Sequence, residues 1–223
     1  SLSELKRREF LKKLSKYPIE VKVLPSISSI VNGEVSIENI KHVEVEDILG
    51  RSSVEPKKSL LKKNITAKNI LITGAGGSIG SELCRQILEL SPKKIVMYEH
   101  SEFNLYSINH ELSNSKKRAI IIPVLGSVTD SKRIEKVMIE NNIHTVYHAA
   151  AYKHVPMVEM NVIEGVYNNV IGTYATALAA QKAFVENFVL ISTDKAVRPT
   201  NVMGASKRFA EMILQGLNNK TDN

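Results

Sequence analysis

Asn69-Ile70-Leu71-Ile72-Thr73-Gly74-Ala75-Gly76-Gly77-Ser78-Ile79-Gly80 is the stretch on which the fold turns. Five residues suited to a buried strand run straight into a loop whose glycines at 74, 77 and 80 are spaced GxxGxxG, and a helical pattern follows. Gly74 permits a tight turn, Gly77 lets the backbone approach a pyrophosphate, and Gly80 lets the helix pack close to the strand. The helix N-terminus offers free N–H groups and a partial positive charge to phosphates. Glycine spacing alone is a weak sign, but the order strand, loop, helix strengthens it. So does Glu99, which ends a second strand about twenty residues on, where a carboxylate would grip an adenosine ribose. The same carboxylate would oppose the extra 2′-phosphate of NADP by about 3 kcal/mol per unit charge at ~5 Å and an effective dielectric near 20. The next residues, His100 and Ser101, include no arginine to offset it. The expected cofactor is NAD.

Outward from that stretch, short apolar runs alternate with helical segments. Strands are predicted at Ile70–Thr73, Ile95–Tyr98, Ala119–Val124, Thr145–His148 and Phe188–Ser192, and helices near 79–90, 102–112, 131–141, 161–184 and 203–217. This alternation implies an α/β fold, a Rossmann-like doubly wound parallel sheet. Before it the pattern differs. Leu2, Leu5, Phe10, Leu11 and Leu14 recur at near-helical spacing, Ile19–Val23 alternates like a strand, and Asn32-Gly33 marks a turn. Residues 1–62 read as the tail of a preceding α/β domain plus a polar linker around Glu55–Ser59 and Lys62-Lys63. Residues 63–223 read as the dinucleotide-binding core.

The 223 residues carry a net charge of +7, with 43% hydrophobic and 24% charged residues. That composition fits a folded chain. Residues 1–68 hold 14 Lys/Arg against 9 Asp/Glu, so most of the excess lies outside the region that carries the motifs. Only 5% of residues are aromatic, and no basic–aromatic alternation appears, so a nucleic-acid partner is not expected. The single cysteine, Cys84, cannot form an intrachain disulfide, and no Cys/His cluster has metal-ligand spacing. No apolar run is long enough to cross a bilayer.

The second informative stretch is Ile191-Ser192-Thr193-Asp194-Lys195-Ala196, which follows the fifth strand and so falls at the carboxyl edge of the sheet, where ligands bind in this fold. Val197-Arg198-Pro199-Thr200-Asn201-Val202-Met203-Gly204-Ala205-Ser206-Lys207 then opens another helix. With ITGAGGSIGSEL, EHSEFNLY, HAAAYKHVPMVE, NNVIGT and STDKAVRPTNVMGASKR in this order, residues 69–211 resemble an extended short-chain dehydrogenase/reductase. More narrowly, they resemble the CapD-like polysaccharide-biosynthesis proteins, membrane-anchored UDP-N-acetylglucosamine 4,6-dehydratases. The VEVEDILGR segment resembles the end of the domain that precedes the dehydratase in those proteins.

That resemblance implies a lyase that uses NAD without net consumption. Hydride leaves sugar C4, water is lost across C5 and C6, and hydride returns to C6. In the superfamily signature Tyr-x-x-x-Lys the tyrosine is the acid/base, but here its position holds Met203, four before Lys207. A thioether has no proton to exchange. This agrees with the Ser-Met-Lys branch, which the resemblance associates with retention at C5. By the same resemblance Asp194 is the acid at O6, Lys195 the base at C5, Thr193 a partner of the C4 oxygen, and Lys207 a holder of the nicotinamide ribose. Those roles require a raised pKa at Asp194 and a depressed one at Lys195, the latter through Lys207, the cofactor charge and burial. Which group takes the C4 hydroxyl proton stays open.

The resemblance also assigns cofactor contacts to Gly74, Gly76, Gly77, Ser78, Ile79, Gly80, Glu99, His100, Ser101 and Asn104, and further along to Ser127, Val128, Ala149, Ala150, Ala151 and Lys153. Ser127 stands where many relatives carry an adenine-binding Asp. Substrate contacts fall to Lys153, His154, Asn169, Thr193 and Asn201. Relatives pair through helices corresponding to 161–184 and 203–217, which implies a homo-oligomer. They also carry upstream membrane helices, which would anchor a parent protein at the cytoplasmic side of the inner membrane. The family has a sugar-binding subdomain that would follow the last helix. A 4-epimerase and an inactive NAD-binding fragment remain as alternatives.

Overall fold

The computed structural model describes residues 22–23, 41–42, 57–113, 115 and 118–221, and the chain forms two compact units, Ser1–Pro56 and Lys57–Asn223. In the first unit, β1 (Lys22–Val23) pairs antiparallel with β2 (Lys41–His42). The helix expected within 2–14 and the turn at Asn32-Gly33 lie outside the described residues. The division falls between Pro56 and Lys57 rather than after position 62, and Lys58–Ile65 forms a helix, α1, where a linker is expected.

The second unit is built on five parallel strands: β3 (Asn69–Thr73), β4 (Lys94–Glu99), β5 (Ile120–Leu125), β6 (Thr145–His148) and β7 (Asn187–Leu190), in the order β5-β4-β3-β6-β7. The order in which strands are added reverses between β3 and β6, which is where ligands bind in such folds. The register puts Thr73 beside Tyr98 on one side and His148 on the other, and His148 beside Leu190. The next residue of each strand therefore opens onto one carboxyl edge: Gly74, Glu99, Ala149 and Ile191.

Every residue of β3 is buried, because helices cover both faces of the sheet. Ile70 and Ile72 point into a core shared with Cys84, Ile87 and Leu88 of α2 (Ser78–Glu89) and with Leu105 and Ile108 of α3 (Glu102–Ser113). Leu71 points the other way, to Ile134 and Met138 of α4 (Ser131–Glu140) and to Ala179 and Ala180. Each fully buried Ile or Leu contributes about 1.5–3 kcal/mol. Burial also pushes the Cys84 thiol up to about 12, so it is packing and not a nucleophile.

The helix expected over 161–184 is not one regular rod. It comprises α6 (Val162–Val166), a wider π-helical turn at Tyr167–Ile171, and α7 (Gly172–Lys182). A short helix not foreseen, α5 (Val155–Met160), precedes it with proline in its first turn. The last helix, α8, runs Val202–Thr221. Among the described residues, no helix is long and apolar enough to cross a membrane.

Candidate active site

The glycine loop is held by contacts that leave no room for side chains. Gly74 has φ of +64°, and a Cβ there would come within 2.8 Å of the Ala150 backbone. A Cβ on Gly80 would lie 1.9 Å from the Gly74 carbonyl oxygen, so the first turn of α2 sits directly against the loop. Gly77 differs: its Cβ would meet only the Gly74 oxygen, at 3.3 Å, and its face stays open to the cleft.

Glu99 is 3% exposed, yet its carboxylate has partners. Oε2 accepts from the Gly76 N–H at 3.0 Å, and Oε1 accepts from the N–H groups of His100 and Ser101, each at 3.0 Å. These bonds tie the end of β4 to the loop after β3 and hold the carboxylate at the cleft wall. Oε2 retains a further lone pair for a hydroxyl, while both of those on Oε1 are taken.

One cleft is lined by Gly74, Gly77, Glu99, His100 and Asn104 on one side and by Ser127, Val128, Ala149, Ala150 and Ala151 on the other. Tyr98, Gly126, Tyr152 and Asn168 line it too, although the sequence reading did not single them out. Tyr152 and Asn168 stood inside the quoted motifs, so the signal was present. Gly76 and Ser101 act through their N–H groups on Glu99, Gly80 acts from beneath the loop, and Ser78 is an exposed residue that opens α2. The Ser127 hydroxyl is engaged locally, with Thr129 Oγ1 at 2.8 Å. The positive φ, the buried acid and the open helix start together fit a dinucleotide with ribose hydroxyls beside Glu99.

A second cleft continues from the first through Ala149, Ala151 and Tyr152, which line both. Its other walls are Ile79, Lys153, Ile191, Ser192, Thr193, Lys195, Met203 and Lys207. The turn at its far wall is a 3-10 helix, Asp194–Ala196, capped by Thr193, whose Oγ1 accepts from the Lys195 N–H at 3.3 Å and donates to Asp194 Oδ1 at 3.0 Å. Gly204 presses on this turn; a Cβ there would lie 2.3 Å from the Lys195 carbonyl oxygen. That fixes the turn against the start of α8, and hence against Met203 and Lys207.

Three expectations change here. The burial foreseen for Lys195 falls on Lys207 instead: Lys195 is exposed, while Lys207 is 6% exposed and burial lowers its amine to about 8. Asp194 is exposed and sits outside the cleft lining, one hydrogen bond from Thr193. Asn169 does not face a substrate. It is fully buried, with Oδ1 accepting from Tyr152 N–H at 2.8 Å and Asn168 at 3.1 Å, and with its amide donating to Tyr152 C=O and Ser206 Oγ, each at 3.0 Å. All four of its hydrogen-bonding positions are taken, so it anchors the wall that carries Tyr152.

Two further residues have local duties. Asn201 Oδ1 accepts from the Gly204 N–H at 2.8 Å and so caps α8. His154 is exposed at the start of α5, where it lines an apolar hollow with Met157 and Val158 that shares Ala151, Tyr152 and Lys153 with the second cleft.

His148, not foreseen as a site residue, joins the two clefts from below. It is fully buried, its Nδ1 is 2.7 Å from Thr73 Oγ1, and its Nε2 is 3.1 Å from Thr173 Oγ1. The Thr173 hydroxyl donates to the Asn169 carbonyl at 2.7 Å, so Nε2–H is the donor to Thr173 and Nδ1 accepts from Thr73. Thr73 Oγ1 in turn accepts from the Ala150 N–H at 3.3 Å. Desolvation, with the charge of Lys207, drives the His148 pKa down to about 3, so the ring is neutral and orients the Ala149–Ala151 strand exit.

Residues 70–223 match the model of the family described as "Polysaccharide biosynthesis protein". The chain is 47% identical over 219 residues to the capsular polysaccharide biosynthesis protein CapD of Staphylococcus aureus, a match that spans 98% of this chain and 37% of that protein. It is 34% identical over 157 residues to a UDP-N-acetylglucosamine 4,6-dehydratase (inverting) of Campylobacter jejuni, covering 70% of this chain and 45% of that one. A solved UDP-glucose 4-epimerase from Stenotrophomonas maltophila, with bound NAD and formylated UDP-arabinopyranose, superposes with a TM-score of 0.61 at 22% identity, over 69% of this chain and 49% of that chain. The chain thus spans less than half the length of these proteins, and the epimerase likeness establishes the fold alone. With its family model matched from the first strand of the sheet onward, this chain belongs to the polysaccharide biosynthesis protein family.

Proposed function

We propose that this chain carries the NAD-binding and catalytic core of a UDP-N-acetylhexosamine 4,6-dehydratase that retains configuration at C5. The observation that carries the reading is the joined cleft: a glycine-lined dinucleotide crevice runs, through Ala149–Tyr152, into a pocket lined by Thr193, Lys195, Met203 and Lys207. When bound, NAD supplies the oxidant that accepts hydride from sugar C4 and gives it back at C6. Gly74, Gly77 and the start of α2 hold its phosphates, and Glu99 holds the adenosine ribose. Thr193 bonds the C4 oxygen, Lys195 removes the C5 proton, and Asp194 delivers a proton to O6 so that water leaves. Met203 keeps the usual phenol out of the pocket, which favours retention here although the Campylobacter relative is named as inverting. The related idea that copies pair through the long helices rests on an exposed stripe of Ile163, Tyr167, Ile171 and Tyr174, with Phe209 and Met212 on α8.

The test is product analysis with the full-length protein. UDP-N-acetylglucosamine should give the 4-keto-6-deoxy sugar, identified by NMR, and Asp194→Asn or Lys195→Ala should lower the rate by about 10²–10⁴-fold. Normal turnover by both variants defeats the role assignment. A product that keeps its C6 hydroxyl but inverts C4 replaces dehydration with epimerisation, which needs no acid at C6.

A further inference from the structure

Met203 leaves a gap in the chemistry. Taking hydride from a secondary alcohol requires that its hydroxyl proton go somewhere, and a thioether cannot receive it. The groups around the pocket that exchange protons are few. Asp194 and Lys195 have other duties in the reading above. Lys153 is exposed. The Tyr152 phenol is made a poorer acid than usual by burial and by Glu164, whose Oε1 accepts its hydrogen bond at 3.4 Å.

Lys207 differs from these. It sits one helical turn beyond Met203 on the same face of α8, it is buried, and it lines the pocket with Thr193 and Lys195. Its amine makes no hydrogen bond or ion pair to a described residue. Glu211 is the carboxylate that acts on it, and Glu211 is already engaged by Ser192 and Arg208. From the sheet beneath, His148 is held neutral and adds no charge. The other two amines of this pocket, Lys195 and Lys153, belong to exposed residues.

We propose that Lys207 is itself the base that accepts the C4 hydroxyl proton, in place of the phenol that the helix lacks. The inference rests on the reading that C4 of a nucleotide sugar is oxidised in this pocket. The O–H bond breaks, an N–H bond forms on Lys207, and the C4–H electron pair leaves with hydride for the oxidised dinucleotide. Lys195 returns its proton to C5 as hydride adds to C6, so Lys207 ends one proton richer and Asp194 one proton poorer, and exchange with solvent restores both after product leaves. Because burial brings the amine to about 8, roughly a quarter of the molecules carry it neutral at pH 7.5, against about one in a thousand for an ordinary lysine. A methionine neighbour serves this role, since it offers no hydroxyl to occupy the amine lone pair.

Two measurements test it. In the NAD-free protein, the rate of Lys207 acetylation by acetic anhydride, followed by mass spectrometry against pH, should have its midpoint near 8. A midpoint near 10.5 overturns the proposal. In the full-length protein, reduction of bound dinucleotide on rapid mixing with UDP-N-acetylglucosamine should quicken with rising pH and level off above about 8. At saturating NAD, with affinity measured separately by calorimetry, Lys207→Met and Lys207→Arg should each slow that reduction about 10²–10⁴-fold. Arginine keeps the charge that a ribose contact needs but cannot become neutral. Lys207→Arg reducing the dinucleotide within tenfold of the wild-type rate overturns the proposal. If wild type reduces the dinucleotide yet no water is lost, the dehydratase reading fails, and Lys207 is still judged by the same rates.

Discussion

The two ends of the crevice are held in different ways. At the dinucleotide end the fixed parts are backbone: a left-handed glycine, two glycines whose Cβ atoms would collide with main chain, and a buried carboxylate tied by three N–H groups. At the proposed chemical end the groups are side chains: Thr193, Asp194 and Lys195 on a turn held by Gly204 and Thr193, with Met203 and Lys207 beside it on α8. Backbone geometry tolerates almost no added atom, whereas an exposed turn tolerates change and depends on its few anchors. Affinity for the cofactor and rate of the reaction should therefore be separable by substitution.

The largest effect should appear where the two ends meet. His148 titrates at about 3 in the folded chain against an ordinary 6.5, so the unfolded chain alone binds its proton between those values. The stability due to the neutral ring is present above pH 6.5 and is lost as pH falls to 3, by up to about 5 kcal/mol. Denaturant melts across this window should show the slope, and His148→Asn should flatten it. An unchanged slope in that variant would mean that the joint is held by something else. Gly80→Ala comes next: its Cβ collides with the Gly74 oxygen, and a loss of about 3 kcal/mol with collapse of NAD affinity is expected. A wild-type melting temperature in Gly80→Ala would remove the contrast between the ends.

Gly204→Ala probes the other anchor. Turnover should fall more than about tenfold as the Lys195 carbonyl is pushed aside, while NAD affinity stays within about twofold. Equal losses in both would mean that the two ends are one unit. The smallest effect belongs to Glu99→Ala, which should weaken NAD by about tenfold, near 1.4 kcal/mol, and narrow its preference over NADP, as read by calorimetry with each dinucleotide.

What could be read in advance follows the same division. Asn69–Gly80 disclosed its strand, loop and helix because glycine spacing and a fully apolar strand each have one dominant structural cause. Glu99 was legible from its distance to that loop. Asn169 was misjudged because a motif places a residue in the chain without giving the direction of its side chain; only the folded wall shows both ends of its amide engaged. The burial expected at Lys195 lies at Lys207 for a related reason. A turn of three residues carries no periodicity that reports burial, whereas Lys207 lies on a helix packed against that turn and the neighbouring helices. His148 went unnoticed because the residue that ends a strand looks the same in sequence whether its ring meets water or two threonines.

The widened turn at Tyr167–Ile171 constrains chain length as well as side-chain identity. Each residue of a regular helix rotates the next by about 100°. Asn169 must point at Tyr152 and Ser206, while Thr173, Thr176 and Ala177 must meet the protein interior a few residues later. The broader turn accommodates the phase difference between those demands. Removing one residue from it would even out the spiral and swing either the anchor or everything beyond it out of alignment, so a deletion here should be tolerated less well than any single replacement.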